Sequence, residues 1–178
     1  EGAEVIPIFE WIHVHWNGGS FISDFALYID KLTLLWMLFV TGLGTLIAVY
    51  ASEYMEHDVG KGYARFFAGV SVFLFAMSCL VMGDNLLMLY LGWEGVGFAS
   101  YWLIGYFYQR PAAVAAAKKA FIVNRIGDLG LALAIYLIWS TFGTIQYDGI
   151  STALAAHNND AATFSAFGGW TVHAIPYL

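Results

Sequence analysis

Charge is what this sequence has least of. Seven Lys and Arg and thirteen Asp and Glu make up only 11% of 178 residues. A water-soluble domain carries about 25% charged residues. A surface so poor in charge would self-associate in water, so lipid is the solvent this composition fits. The few basic residues, under a net charge of -6, exclude nucleic acid, which needs clustered Lys and Arg. One cysteine, Cys79, lies in an apolar run. It offers neither a disulfide framework nor a Cys-ligated metal site, and reads as a buried small hydrophobe. The opening Glu1-Gly2-Ala3-Glu4 has no basic stretch ahead of an apolar core, so it is not a signal peptide. It also lacks an initiator Met, and Trp170–Leu178 lacks a cap or polar tail, so a piece of a longer polypeptide is expected. Nucleophile–base pairs, Gly-rich phosphate loops, iron–sulfur Cys patterns and internal repeats are all missing.

Apolar length is what the sequence has instead: 60% hydrophobic and 18% aromatic residues. Spanning about 30 Å of hydrocarbon takes roughly 20 helical residues. Four stretches meet that length, over about 25–54, 63–82, 85–108 and 111–142. The expected fold is therefore all-α, a polytopic transmembrane bundle of about four helices filling residues 25–142. Pro111 suits a first helical turn, where its missing N–H costs nothing. Gly83-Asp84-Asn85 leaves room only for an antiparallel turn, with Asp84 expected as the cap of the following helix. Residues 1–24, with Trp11-Ile12-His13-Val14-His15-Trp16, read as an interfacial strand or small hairpin. Residues 143–178 read as an extramembrane segment leading to a further helix. Lys61, Arg65, Arg110, Lys118 and Lys119 fall in or beside two connections on one side, which the positive-inside rule places in the cytoplasm or its organellar equivalent.

An ionisable group in hydrocarbon costs roughly 2.5 kcal/mol or more, so it tends to be paired and functional. Glu94 follows Asn85 by nine residues, about 13 Å of helical rise, which puts it near the midplane. Desolvation there favours its neutral form and a nearby cation its charged form, the balance a proton carrier needs. Gly92, Gly95 and Ala99 form a small-residue stripe beside it, suited to close helix packing. The next long stretch holds Lys118, Lys119, Asn124, Arg125 and Asp128. Arg125 and Asp128, three apart, can pair. Lys118 lies two turns from Arg125 on nearly the same face, while Lys119 points elsewhere and suits the head groups. His13 and His15 could share a strand face, but no third metal ligand is apparent. Those two, with His57, His157 and His173, read as surface or interface residues.

The run Gly83-Asp84-Asn85-Leu86-Leu87-Met88-Leu89-Tyr90-Leu91-Gly92-Trp93-Glu94-Gly95-Val96-Gly97 resembles the antiporter-like membrane subunit of respiratory complex I, chain 5 or bacterial subunit L. Tyr50–Met55, Tyr63–Ala68 and Lys119–Asp128 resemble it too, so the likeness covers nearly all of residues 24–148. The resemblance implies a membrane-arm subunit without a cofactor of its own, since NADH, FMN, iron–sulfur clusters and quinone belong to other subunits. It implies partners among the other membrane-arm subunits and the lipid bilayer, in a bacterial inner membrane or an organellar energy-transducing one. Glu94 takes the place of the family's key glutamate, accompanied by Arg125 and Asp128, with its partner lysine expected on a helix beyond Leu178. A cation/proton antiporter or ion-coupled bicarbonate uptake subunit of the same fold is the alternative.

Overall fold

The computed structural model describes residues 3–16, 19–56, 62–156, 163–166 and 170–173. His57, Lys61 and His157 lie outside them. The alternating amino-terminal run forms β1 (Glu4–Trp16), paired antiparallel with β2 (Gly19–Ile29). The register slips between Pro7 and Phe9 and again between Glu10 and Ile12. Proline has no N–H for a ladder, so a bulge beside it is well tolerated. Phe9 stacks on Phe25 at 4.9 Å, and Trp11 meets the same ring edge-on at 6.4 Å.

The hairpin corrects the expected start of the first helix. Phe25 to Ile29 continue the ladder, with Phe25 opposite Phe9 and Ile29 opposite Glu4. Helix α1 (Lys31–Tyr54) begins only at Asp30, whose carboxylate accepts the Thr33 N–H at 2.6 Å. That bond holds the Asp30 carboxyl below its ordinary range. Apolar side chains such as Leu34, Leu38 and Val49 are exposed on α1 and suit lipid. Thr41 and Thr45 return their hydroxyls to the carbonyls of Met37 and Thr41, so no polar group is left unsatisfied there.

Three more long helices follow: α2 (Tyr63–Met82), α3 (Leu86–Ile104) and α4 (Pro111–Phe142). By length and composition α1, α2 and α4 are long and apolar enough to cross a membrane. The fourth expected crossing, over α3, is diluted by Glu94 and three glycines and falls below that measure. The chain is thus a mostly helical, polytopic membrane fold with a short amino-terminal sheet. Helix α3 stops at Ile104, short of the expected 108. Gly105 there lies so close to α4 that a Cβ would come 3.3 Å from that of Ala117. The chain therefore turns early, and Pro111 opens α4 as expected.

Asn85, not Asp84, caps α3. Its Oδ1 accepts the Met88 N–H at 2.9 Å and the Ser23 hydroxyl at 3.2 Å, while its Nδ2 donates to the Asp24 carbonyl at 2.8 Å. Asp84 contributes backbone instead, donating its N–H to the Ala26 carbonyl at 3.2 Å. Leu86 N–H reaches the Ile145 carbonyl at 3.0 Å. Beyond α4, which ends on left-handed Gly143, that link leads into α5 (Tyr147–Ala156). A second hairpin, β3 (Thr163–Ala166) with β4 (Trp170–His173), follows. Residues 143–178, expected as an extramembrane segment, thus include a helix and a hairpin.

Asn85 and Ser23 are fully buried. Asn85→Ala removes the cap and strands two buried polar groups, a loss of roughly 2–4 kcal/mol. Thermal unfolding of the detergent-solubilised protein checks this, and an unshifted midpoint would dismiss the tie. Asp84 is 7% exposed. Burial first, then repulsion from Asp148 and Asp24, pushes its carboxyl above the ordinary 3.8. A raised folded-state pKa contributes stability at low pH that is lost as pH rises through it. Asp84→Asn is therefore expected to unfold at a higher temperature than the parent at neutral pH. The gap should close as pH falls towards 3.8, and a gap independent of pH would contradict this cause.

Candidate functional site

The small-residue stripe of α3 faces α2. A Cβ on Gly92 would lie 2.5 Å from the Leu80 nitrogen and 2.7 Å from its Cα, and one on Gly95 would lie 2.7 Å from the Ala76 Cβ. Ala99 completes the seam, fully buried. This contact fixes the rotation of α3 and so sends Trp93 and Glu94 towards α4.

Glu94 stands at the middle of the 19-residue α3. Its Oε2 meets Nη1 of Arg125, near the middle of the 32-residue α4. The same Nη1 lies 3.6 Å from Oδ2 of Asp128, one turn further on. Trp93 closes the group by donating its indole N–H to Asp128 Oδ1 at 2.9 Å. The Arg125 guanidinium also stacks over the Phe121 ring, 4.7 Å from its centroid. Asp128 is the most enclosed member, its side chain 5% exposed against 19% for Glu94 and 40% for Arg125. A cavity of about 250 Å³ adjoins the cluster, lined in part by Trp93, Ser100, Asn124 and Asp128.

One cation thus serves two carboxylates. With all three ionised the group carries one net negative charge, which a low-dielectric surrounding penalises. Binding one proton makes it neutral. Arg125 stands where it can pair with either Glu94 or Asp128.

Other candidates stand apart. Lys118 lies two turns nearer the start of α4 and lines a different cavity with Arg65. Lys119 is exposed and forms no ion pair among the described residues. His13 contacts Asp24 across the hairpin and lies 3.9 Å from Glu10. No group of three metal-ligating side chains occurs among the described residues. Trp93 was missed from the sequence, although its place beside Glu94 was visible. An indole carries one donor, and which acceptor it finds depends on helix packing.

Residues 83–174 match the family described as NADH:quinone oxidoreductase/Mrp antiporter, TM. Residues 11–67 match the amino terminus of chain 5 of NADH-ubiquinone oxidoreductase, complex I. The chain belongs to this antiporter-like family of complex I membrane subunits. Among its relatives, NADH-quinone oxidoreductase subunit L of Mycobacterium tuberculosis H37Rv is 44% identical over 156 residues, covering 88% of this chain and 24% of that one. Subunit L of Escherichia coli K12 is 43% identical over 169 residues, 92% of this chain and 27% of that one. The chloroplastic NAD(P)H-quinone oxidoreductase subunit 5 of Mesostigma viride is 37% identical over 173 residues, 96% of this chain and 26% of that one. The chain spans about a quarter of the length of these relatives. The Glu94 cluster falls inside the longer family match, on α3 and α4, both of which that match contains in full.

Proposed function

We propose that this chain forms part of a proton-translocating membrane-arm subunit of NADH:quinone oxidoreductase. The observation that carries the reading is the cluster of Glu94, Arg125 and Asp128 at the middle of two membrane helices. Its Asp128 is buried, and the group is short of one positive charge. Four crossings, over α1 to α4, complete the proposed topology, because an ion pair at mid-height spares α3 the full cost of Glu94 in lipid. Glu94 and Asp128 hold the proton in turn, and Arg125 biases which of them does so. Lys118 and Lys119, at the basic end of α4, orient the helix at the head-group level rather than touch the cluster. Electron transfer belongs to other subunits of the complex, which are the partners of this one. The membrane is an energy-transducing one, in keeping with bacterial and chloroplast relatives.

Asp128→Asn in the full-length subunit tests this. Asparagine keeps an acceptor for Trp93 but holds no proton. In inverted membrane vesicles, protons moved per NADH oxidised should fall about two- to threefold, a partial loss because Glu94 remains. Unchanged coupling combined with lost sodium-dependent proton exchange would favour the antiporter alternative.

A further inference from the structure

At the end of the bundle opposite Asn85 lies a cavity of about 290 Å³ that the cluster at mid-height does not use. Its walls come from the first turn of α2, the last turns of α3, the α3–α4 connection and the start of α4. They are mostly aromatic and aliphatic, with Tyr101, Trp102 and Val114 among them, and hold two cations, Arg65 and Lys118. Neither cation has a carboxylate partner among the described residues.

Arg65 is placed but barely satisfied. Its guanidinium lies 5.2 Å from the ring centroids of both Tyr106 and Tyr108, and its one hydrogen bond is a long 3.5 Å contact to the Tyr106 carbonyl. A guanidinium carries five N–H donors in a fixed fork, and most of these find no acceptor among the described residues. Tyr106 is only 6% exposed and lines the same cavity. Lys118 adds a mobile point charge at the rim.

We infer that this cavity binds the phosphodiester head group of an anionic phospholipid. Two cations without a carboxylate partner among the described residues, beside the Tyr106 phenol, fit phosphate oxygens, for which guanidinium forks are well shaped. The apolar walls at the membrane end of three helices fit the acyl chains that follow. A zwitterionic choline lipid fits less well. Its ammonium would be caged by aromatic faces, but Arg65 already covers Tyr106 and Tyr108.

The test uses the full-length subunit within its complex, in phosphatidylcholine nanodiscs, with a photoreactive phosphatidylglycerol as the probe. Label is expected on peptides spanning residues 98–118. Unlabelled phosphatidylglycerol should displace it, and equal concentrations of phosphatidylcholine or inorganic phosphate should not. In the Arg65→Gln, Lys118→Gln double variant labelling should fall roughly tenfold, the loss for two solvent-exposed ion pairs. Lys118→Gln alone, at an exposed position that cannot upset folding, should fall about threefold. Arg65→Lys with Lys118→Arg should retain most of the label, and Lys119→Gln all of it. Labelling unaffected by the charge variants would overturn the assignment. So would equal displacement by phosphatidylcholine, and displacement by inorganic phosphate would show a free-anion site instead.

Discussion

Glu94→Gln in the full-length subunit is expected to lower proton translocation per NADH oxidised by at least roughly tenfold, within the range lost when a positioned proton-transfer group is removed. Glutamine matches glutamate in shape, so the packing of α3 against α2 and α4 should survive. What changes is the charge count. Arg125 and Asp128 then form a simple neutral pair, and no proton is needed to balance the group. The guanidinium also loses the competition between two carboxylates that lets it move. Glu94→Asp keeps the charge but retracts it from Arg125, and an intermediate rate is expected. Proton uptake into inverted vesicles, normalised to NADH consumed, measures both variants. Wild-type coupling in Glu94→Gln would remove Glu94 from the proton path.

Gly92→Ala should be the most damaging conservative change in the bundle. Taken alone, alanine improves a helix by about 1 kcal/mol over glycine. Here the added methyl would sit 2.5 to 2.8 Å from the backbone nitrogen, Cα and Cβ of Leu80. Backbone cannot rotate away as a side chain can, so α2 and α3 must separate along the seam. Overpacking of this kind costs roughly 1–3 kcal/mol or more, which exceeds the propensity gain. A net loss of about 2 kcal/mol follows, visible as a lower thermal midpoint and less assembled subunit. Gly95→Ala meets only the Ala76 methyl and should lose less. Gly42→Ala and Gly127→Ala, with nothing within 4 Å, should be neutral or slightly stabilising. A uniform response at all four positions would mean that the close approach at Gly92 is not what holds the two helices.

Much of this was legible in advance because lipid makes sequence patterns emphatic. Apolar runs located α2 and α4 to the residue, and a charge at mid-run singled out Glu94. The small-residue stripe announced a close contact without saying which helix would fill it. Where reading failed, the competing signals were local. Phe25 to Ile29 are as apolar as a helix start, and only pairing with β1 makes them strand. Asp84 and Asn85 are both good caps, and the choice fell to the residue whose amide could serve the Ser23 hydroxyl and the Asp24 carbonyl together. Arg125 was expected to pair with Asp128 along its own helix. Its contact with Glu94 depends on the rotation of α3, which no spacing within α4 encodes.

The three-way junction at Asn85 also ties one end of the bundle together. Strand β2, the α2–α3 turn and the exit of α4 share hydrogen bonds there, while the opposite end holds a cavity and a longer connection. Helices α3 and α4 are therefore tied at both ends, through the Asn85 junction at one and through the 105–110 connection, with Gly105 against Ala117, at the other. Between those two ties stands Arg125, within reach of both carboxylates.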